Sequence, residues 1–388
     1  MSFEPRPYQR EAIDANIAFF NSDKDHHAIE ILPTGSGKSI VIAHTAMGME
    51  GKTIIFQPSK EILEQNYSKY ISYGYRASIY SASAGMKYID KVTFATIGSV
   101  AKKHYLFKEF KNIIIDECDL VNAKGGMYND FIKNIEGCKV LGLTATPYRL
   151  SASFDGAMLK FLTRTRPRVF SEVLYYIQND VLFNNGYLAK LEYFTFNVID
   201  RSMLAVNSNG TDFTEASLRN YYRKIDMPKV TMYYANRLLA KRKNLLIFCA
   251  LIEEARQAAR GIPGAVVLTG DTDMSERTRI LSQFKSGKIR CVVNVGVLTV
   301  GFDYPELEAM LIARSTMSLR LYYQMVGRVM RPHPGKESAW VVDLGGNINF
   351  FGKIETMKIE KTNTGLYYIS NIVNGRYRQL TNVTFSKN

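Results

Sequence analysis

The chain has 388 residues, a length that accommodates two domains with full hydrophobic cores. Its apolar content of 46% excludes a largely disordered protein, and no apolar run reaches the ~20 residues of a membrane-spanning helix. Lysine and arginine number 50 against 36 acidic residues, and the net charge of +14 favours a polyanionic partner, although a generally basic protein would show the same balance. The N-terminus does not resemble a signal peptide and none of the four cysteines lies in a CxxC pair, so no zinc site or disulfide framework is indicated and we expect a reducing, cytoplasmic setting.

The first predicted element is a helix from Pro7 to Ser22, because Ile13, Ile17 and Phe20 share one face. It opens on the segment Arg6-Pro7-Tyr8-Gln9. The Gln9 amide offers one donor and one acceptor edge, which matches the hydrogen-bonding edge of an adenine. Taken alone, an exposed glutamine is weak evidence for such a role.

Residues 33–39 have the pattern of a phosphate-binding loop. An apolar run, Ala28 to Leu32, precedes them and a second, Ile40 to Met49, follows, which gives the strand, glycine-rich turn and helix that such a loop requires. Glycines let the backbone approach a polyphosphate, and the helix N-terminus supplies free N–H groups. Lys38 is placed to reach the β- and γ-phosphates and Ser39 to hold Mg²⁺. The predicted nucleotide contacts of the loop are Thr34, Gly35, Ser36, Gly37, Lys38 and Ser39; Leu32 stands where the strict pattern has glycine.

Four short β-rich strings follow, and each runs into a polar motif. They are Thr53–Phe56, Lys91–Thr96, Asn112–Ile115 and Val140–Leu143. Apolar strands that alternate with helices predict an α/β protein with a parallel sheet covered on both faces. Ligands of such sheets lie at the carboxyl ends of the strands, where all of these motifs fall.

Asp116-Glu117 is the second chemical motif. Phosphoryl transfer from ATP needs a metal ion that neutralises charge and a residue that positions the attacking water. Asp116, at the end of a buried strand, suits the Mg²⁺ role, and Glu117 suits water activation. The alternative is that the two acids cap the next helix.

The pattern loosens from Tyr148 to about Asp226. We interpret this region as an insertion and connector, with a helix predicted from Val173 to Phe183. A second series of strands and helices then begins. Its strands are predicted at Leu245–Cys249, Ala265–Leu268, Arg290–Asn294, Met310–Ala313 and Ala339–Val342, with helices such as Leu251–Arg260 and Met274–Lys285 between them.

The second series has no phosphate loop but carries two motifs, Gly301-Phe302-Asp303 and residues 323–331. Arg328 and Arg331 are predicted to share one face of a helix, from which they would reach a nucleotide as arginine fingers. A solvated basic helix is the alternative. After Gly346 the alternation stops, and a β hairpin or extension is predicted around Asn374-Gly375.

The ordered set of motifs resembles superfamily 2 helicases and translocases. Arg6–Gln9 resembles the Q-type motif, residues 33–39 motif I, Gln57–Lys60 motif Ia, Thr96–Ser99 motif Ib, Asp116–Asp119 motif II, Thr144–Pro147 motif III, Asn294–Asp303 motif V and Gln324–Arg331 motif VI. Within that superfamily, residues 3–346 most resemble the RadD family of bacterial DNA-repair ATPases, through segments such as Leu141–Leu150, Gly186–Leu188 and Leu268–Thr272. Motif II ends in Asp119 where that family typically has histidine, and the C-terminal zinc segment of the family is replaced by residues 347–388.

The resemblance implies two tandem RecA-like domains that close on ATP and Mg²⁺. We expect an ATP-binding domain at residues 1–150, the insertion and connector at 151–225, the second RecA-like domain at 226–346 and a β extension at 347–388. Arg6 and Gln9 would meet the base, Ser39 and Asp116 Mg²⁺, and Glu117 the water. From the second domain, Asp303, Gln324, Arg328 and Arg331 would complete the site. The residues implied to line a nucleic-acid track are Gln57, Pro58, Ser59, Thr96, Gly98, Ser99, Asn294 and Thr299.

Three functions are compatible with these motifs. The first is a nucleic-acid-stimulated ATPase that translocates on, unwinds or remodels DNA, in preference to RNA, during repair, recombination or replication. The second is an ATP-switched clamp that binds nucleic acid or a repair partner without separating strands. The third is the motor of a restriction or defence complex, which would need a nuclease from another subunit because no nuclease motif is visible here. We expect a monomer without membrane contact, in a bacterial or phage-infected cell.

Overall fold

The computed structural model describes residues 4–153, 156–299 and 301–386. The chain folds as two compact units. Unit 1 comprises Met1–Arg149 and Lys160–Ile177, and unit 2 comprises Leu150–Leu159 and Gln178–Asn388. Within the described ranges, none of the helices has both the length and the apolar character needed to cross a membrane.

Unit 1 is built on an eight-stranded sheet. Its elements up to residue 144 are α1 (Pro7–Asn21), β1 (Ala28–Ile31), α2 (Lys38–Gly48), β2 (Thr53–Phe56), α3 (Lys60–Ser72), β3 (Ser78–Ser81), β4 (Met86–Lys87), β5 (Val92–Ala95), α4 (Ile97–Val100), β6 (Asn112–Asp116), α5 (Met127–Lys133) and β7 (Lys139–Thr144). The neighbouring strands β1, β7, β6, β2, β5 and β3 are parallel, and β4 is antiparallel to β3 at one edge. Strands β1, β2 and β5 are buried at every position, as their near-continuous apolar sequences require.

The region predicted as an insertion and connector is divided between the units. After β8 (Tyr148–Ser153) and β9 (Gly156–Phe161), strand β10 (Glu172–Tyr176) pairs in parallel with β1 and completes the sheet of unit 1. The helix predicted from Val173 to Phe183 is therefore wrong in its first half, and only α6 (Asn179–Asn184) is helical. The physical reason is that the edge of β1 offers unpaired backbone groups, which a β-branched and aromatic segment such as Val173–Tyr176 pairs well.

Unit 2 contains the second predicted series as a six-stranded parallel sheet. Its elements are β11 (Leu191–Thr195), α7 (Glu215–Lys224), α8 (Met227–Leu239), β12 (Leu245–Cys249), α9 (Ile252–Arg260), β13 (Ala265–Leu268), α10 (Met274–Lys285), β14 (Cys291–Asn294), β15 (Ala309–Ala313), α11 (Leu319–Val326) and β16 (Ala339–Asp343). The strand order is β11-β16-β15-β12-β14-β13. The predicted α/β class with parallel sheets is thus confirmed. The strand β11, which lies in the predicted connector, belongs to this sheet.

The C-terminal segment forms small antiparallel strands, as predicted. It contains α12 (Asn347–Phe351), β17 (Lys358–Lys361), β18 (Tyr367–Val373), β19 (Arg376–Gln379) and β20 (Thr384–Ser386). Strands β17, β18 and β19 form one antiparallel sheet, while β20 pairs with β9. The turn between β18 and β19 is Asn374-Gly375, with φ of 50° and 76°, the positive values that a tight hairpin turn requires.

The buried strand β1 carries one ionisable side chain, Glu30. It is fully buried, and its Oε2 accepts a hydrogen bond of 2.9 Å from Asn16 Nδ2, which also donates to Thr45 Oγ1 at 3.2 Å. The other oxygens, Glu30 Oε1 and Asn16 Oδ1, have no hydrogen-bond partner among the described residues. Burial raises the pKa of Glu30 to about 8, against the opposing effects of Asn16 and of the Lys38 charge. Protonation gives Glu30 a hydroxyl donor, which the carboxylate form lacks.

Replacing Glu30 by glutamine should change the pH dependence of stability. Because the folded pKa lies above the value of 4.5 for an ordinary glutamate, the stabilisation by the protonated form is complete below that value and is lost as the pH rises towards about 8. Glu30→Gln should therefore remove a fall of about 1 kcal/mol per pH unit in the free energy of unfolding over this interval. Denaturant unfolding at several pH values measures it, with the exposed Glu61→Gln as the control. An unchanged slope in Glu30→Gln would contradict the assignment.

Candidate functional site

The loop between β1 and α2 has the backbone of an anion-binding turn. Gly35 and Gly37 both adopt φ of +86°, in the left-handed region that favours glycine. Gly37 is the N-cap of α2, so Lys38 and Ser39 are the first two residues of the helix. The first N–H groups of this 11-residue helix have no partners within it, and its dipole favours negative charge at this end. The loop thus fits a phosphate group.

Helix α1 is bonded directly to this loop. Gln9 Nε2 donates to the Ser36 carbonyl at 2.7 Å, and the Tyr8 hydroxyl donates to the same oxygen at 2.5 Å. Gln9 Oε1 accepts from the backbone N–H of Arg6 at 2.9 Å. Gln9 is only 1% exposed, and both of its polar ends are hydrogen-bonded within the protein. The structure therefore gives Gln9 the geometry of a loop brace, and its contact with an adenine stays a prediction.

The second group of the site is the acid pair at the end of β6. Asp116 is 5% exposed, and its Oδ2 accepts from Asn66 Nδ2 at 3.4 Å. Burial and the neighbouring Glu117 raise the pKa of Asp116 to about 7, while the Lys38 charge opposes the shift. Glu117 adopts φ of 54° and ψ of 53°, a left-handed conformation that is strained for a residue with a side chain and that is typical of functional positions. Lys38 Nζ lies 3.5 Å from Glu117 Oε1, so the loop and the acid pair meet in unit 1.

The residues present fit Mg²⁺ only together with phosphate oxygens. Ser39 offers a hydroxyl and Asp116 a carboxylate, which are the hard oxygen donors that Mg²⁺ takes. The described part of the chain holds no cluster of three or more His, Cys, Asp or Glu side chains suited to a metal ion. A site with few protein ligands is typical of Mg²⁺, which is usually bound by one or two protein groups together with phosphates of the substrate.

Two residues of α3 make contacts that were not predicted from the sequence. Lys69 Nζ donates to Ser39 Oγ at 3.4 Å, and Asn66 Nδ2 donates both to Asp116 and, at 3.0 Å, to Gln57 Oε1. Residues 66 and 69 are three apart and so share one face of a helix. This spacing of two polar residues, in the helix that follows motif Ia, is the sequence signal from which their position at the site could have been predicted.

Motif III is bonded to the end of motif II. Thr144 Oγ1 donates to Asp119 Oδ1 at 3.0 Å and accepts from the backbone N–H of Thr146 at 2.9 Å. The Arg149 guanidinium donates to the Leu120 carbonyl at 3.1 Å. Asp119, the residue at which motif II departs from the RadD pattern, therefore connects the ends of β6 and β7.

The predicted track residues of unit 1 follow β2 and β5 at the same edge of the sheet. Gln57 is 1% exposed and faces the interior. Ser59 caps α3, since its Oγ accepts from the backbone N–H of Ile62 at 3.4 Å. Thr96 and Ser99 are hydrogen-bonded to each other through their hydroxyls at 2.9 Å. Pro58 is partly exposed, Gly98 is exposed, and Gly98 has no atom within 4 Å of an added Cβ.

The remaining predicted residues lie in unit 2. Asn294 is fully buried and its Oδ1 accepts from the backbone N–H groups of Val297 and Leu298 at 3.2 and 3.0 Å, so it shapes the turn before the partly buried Thr299. Its side chain is buried, and its contact with nucleic acid stays a prediction. Gln324 is 7% exposed within α11.

The prediction that Arg328 and Arg331 share a helical face is wrong. Helix α11 ends at Val326, with Gly327 as its C-cap, and both arginines lie beyond it. Gly327 has low helix propensity, and the proline after Arg331 disfavours helical backbone there. The arginines nevertheless converge on motif V: Arg328 donates to the Phe302 carbonyl at 2.6 Å, and Arg331 forms an ion pair with Asp303.

Comparisons with known proteins agree with this layout. Residues 2–149 match the family described as type III restriction enzyme, res subunit, and residues 229–333 match the helicase conserved C-terminal domain. The chain is 26% identical over 323 residues to a 51.5 kDa protein of Lactococcus phage (isolate 7-9), covering 80% of this chain and 64% of that protein. It is 25% identical over 360 residues to a putative mitochondrial ATP-dependent helicase, irc3, of Schizosaccharomyces pombe, covering 87% and 57%. The chain thus spans about three-fifths of the length of these relatives.

A solved structure extends the comparison to the fold. The ATP-dependent type ISP restriction-modification enzyme LlaBIII bound to DNA superposes with a TM-score of 0.64 at 17% identity, covering 89% of this chain and 28% of that chain. At this identity the likeness concerns the fold alone.

Gly37 should not tolerate a side chain. A Cβ at Gly37 would lie 2.5 Å from Gln9 Nε2, in addition to the cost of φ at +86°. Gly137→Ala is the matched control, because Gly137 also has a positive φ, +65°, but no atom within 4 Å of an added Cβ. We expect both variants to lose roughly 1–2 kcal/mol of stability from backbone strain. Only Gly37→Ala should lower ATP affinity, by about tenfold or more, as measured by titration calorimetry; equal affinities in the two variants would refute the brace.

Proposed function

We propose that this chain, which belongs to helicase superfamily 2, is a nucleic-acid-dependent ATPase that uses ATP hydrolysis to translocate on, unwind or remodel DNA. The observation that carries the proposal is the meeting of the phosphate loop with the acid pair. Lys38 lies 3.5 Å from Glu117, at the N-terminus of α2, and Glu117 follows the buried Asp116. A cation, a helix N-terminus and two acids in one place are the groups that phosphoryl transfer from ATP uses.

The proposed roles follow from the chemistry of each group. The loop backbone and Lys38 bind the β- and γ-phosphates, and Ser39 and Asp116 hold Mg²⁺, which would neutralise charge on the phosphate oxygens. Glu117 orients a water for attack on the γ-phosphorus and accepts its proton, while the bond from that phosphorus to the β–γ bridging oxygen breaks and ADP leaves. Lys38 has one ammonium group for two anionic partners, so a γ-phosphate competes with Glu117 for it. Phosphate binding thereby leaves the Glu117 carboxylate to the water.

Unit 2 supplies the arginines of the proposed mechanism. Arg328 and Arg331 would stabilise the charge that develops on the γ-phosphate, with Gln324 beside them. Asp303 holds Arg331 through its ion pair, and the Phe302 carbonyl holds Arg328. The contact of Arg6 and Gln9 with the base remains part of the proposal, with Gln9 acting also through Ser36.

DNA is the proposed substrate in preference to RNA. The net charge of +14 suits a phosphate backbone, and the family match is to a restriction enzyme subunit. The small polar side chains of the proposed track suit phosphate contacts without reading sequence. The track comprises Gln57, Pro58, Ser59, Thr96, Gly98, Ser99, Asn294 and Thr299. A role in repair, the finer kinship with the RadD family, action as a monomer, and a setting in a bacterial or phage-infected cell stay predictions.

The motor of a restriction or defence complex is the second candidate function. It is favoured by the family match of residues 2–149. An ATP-switched clamp that does not separate strands is the third. An ATPase assay beside a strand-displacement assay, with single-stranded, duplex and forked DNA and with RNA, separates the first from the third. ATPase stimulation that requires a partner subunit would favour the second.

Lys38→Ala and Glu117→Gln should separate binding from hydrolysis. Lys38→Ala removes the positive charge that contacts the β- and γ-phosphates, so ATP turnover should be lost. Glu117→Gln keeps the shape of the side chain but is a far weaker base, so it should bind ATP while turnover falls by roughly 10²–10⁴. Steady-state phosphate release and nucleotide titration of the purified variants measure both. Wild-type turnover in either variant would remove that residue from the proposed site.

Arg328→Ala and Arg331→Ala should lower stimulated turnover more than nucleotide binding. Arginine fingers contribute roughly 10³–10⁵ in turnover, and they act on charge that develops during transfer. ATPase rates at saturating DNA should therefore fall by large factors, while ATP affinity without DNA changes little. Arg279→Ala, on exposed α10 and paired with Glu276, is the control. If both variants turn over near normally at saturating DNA, the arginines serve only binding of nucleic acid and the proposed two-domain active site is wrong.

A further inference from the structure

A mostly exposed segment at one edge of the sheet of unit 1, residues 82–90, contains none of the motifs. After β3, residues 82–85 form a turn closed by a hydrogen bond of 3.1 Å from the Gly85 N–H to the Ala82 carbonyl. The chain then returns along the sheet edge as β4, with Met86 and Lys87 opposite Ser81 and Tyr80. We call residues 82–90 the edge hairpin.

The edge hairpin is fixed to motif Ib by hydroxyl groups. Ser81 Oγ lies 3.1 Å from Thr96 Oγ1 and 3.0 Å from Ser83 Oγ. Ser99 Oγ accepts from the backbone N–H of Ala82 at 2.8 Å. The polar side chains that the sequence assigned to the nucleic-acid track therefore hold this turn in place.

The order of the strands sets the position of the edge hairpin. In the sheet, β2, β5 and β3 are parallel neighbours, so their carboxyl ends lie side by side along one edge. Motif Ia follows β2, motif Ib follows β5, and the edge hairpin follows β3. A strand that runs along motifs Ia and Ib in this direction reaches the edge hairpin next.

The exposed face of the edge hairpin has the chemistry of a single-strand contact. Tyr88 is 71% exposed, so the face of its ring is open to solvent and available to a ligand. It lines an open groove of about 410 Å³ together with Ala82, Gly85 and Lys87. The only acidic residue between positions 82 and 103 is Asp90, whereas four lysines fall there: Lys87, Lys91, Lys102 and Lys103.

We propose that the edge hairpin extends the nucleic-acid track, with Tyr88 stacking on one base of a single strand and Lys87 contacting the adjacent phosphate. The inference rests on the proposed function and adds a stacking subsite to it. Aromatic rings bind bases of any identity through their faces, and lysines bind phosphate as point charges, so the subsite binds single strands without sequence preference. A small and open groove beside an exposed ring suits a planar base.

The test measures the affinity of the 388-residue chain for a fluorescent oligothymidylate by anisotropy. Tyr88→Ala should weaken binding about tenfold, and Tyr88→Phe should retain wild-type affinity because the ring is kept. Tyr105→Ala is the matched control, since Tyr105 is 59% exposed in the same unit and has no place in the proposal. With an abasic strand of the same length, Tyr88→Ala and the wild-type protein should bind equally. A plot of the logarithm of the association constant against the logarithm of the salt concentration has a negative slope. Lys87→Ala should reduce the magnitude of this slope by about 0.7.

The outcomes separate this inference from the proposed function. A wild-type protein that binds no nucleic acid would overturn both. A wild-type protein that binds while Tyr88→Ala binds equally well would overturn the subsite alone, and would leave the exposed ring to a protein partner. A loss in Tyr88→Ala that persists on the abasic strand would also overturn stacking. Equal melting temperatures of the variants establish that the comparison is between folded proteins.

Discussion

The parallel pairing of the strands is the constraint on which the rest of unit 1 depends. Parallel neighbours bring their carboxyl ends to one edge, so segments that are far apart in the chain become adjacent there. The phosphate loop follows β1, the acid pair follows β6, and motif III follows β7, whose bond from Thr144 to Asp119 joins two of these ends. The order of the strands in the sheet therefore sets the distances between the chemical groups. Side chains need only fill positions that the backbone hydrogen bonds have already fixed.

Charge balance at the loop is the second constraint. Asp116 and Glu117 are consecutive acids at a buried strand end, and their mutual repulsion adds to the cost of burial. Lys38 offsets part of this cost, as does the hydrogen bond of 3.1 Å that the backbone N–H of Glu117 donates to Asp116 Oδ1. A bound metal ion and phosphate would bring one further cation and several anions to the same place. The site is thus arranged so that ligands complete a charge distribution that the protein leaves only partly neutralised.

Local signals account for what the sequence predicted well. The phosphate loop, the acid pair and the strands of unit 2 are each specified within ~10 residues by apolar runs, glycines and charges. Two features that the sequence alone did not show come from tertiary contact. Val173–Tyr176 becomes a strand because β1 needs a partner, and Gln9 turns inward because the Ser36 carbonyl needs donors. The end of α11 at Val326, by contrast, had local signals in Gly327 and the proline at position 332 that the motif pattern outweighed.

The path of β10 has a consequence for inheritance. The chain passes between the two units three times, after residues 149, 159 and 177, because β10 returns to complete the first sheet. The family match to the first unit ends at residue 149, before that returning strand. A single recombination event after residue 149 would join the first 149 residues of one protein to the remainder of another. The sheet of unit 1 would then have to pair with a β10 strand from the other protein. An exchange that keeps both sheets intact is therefore expected to preserve the segment from β8 to β10 together with both units.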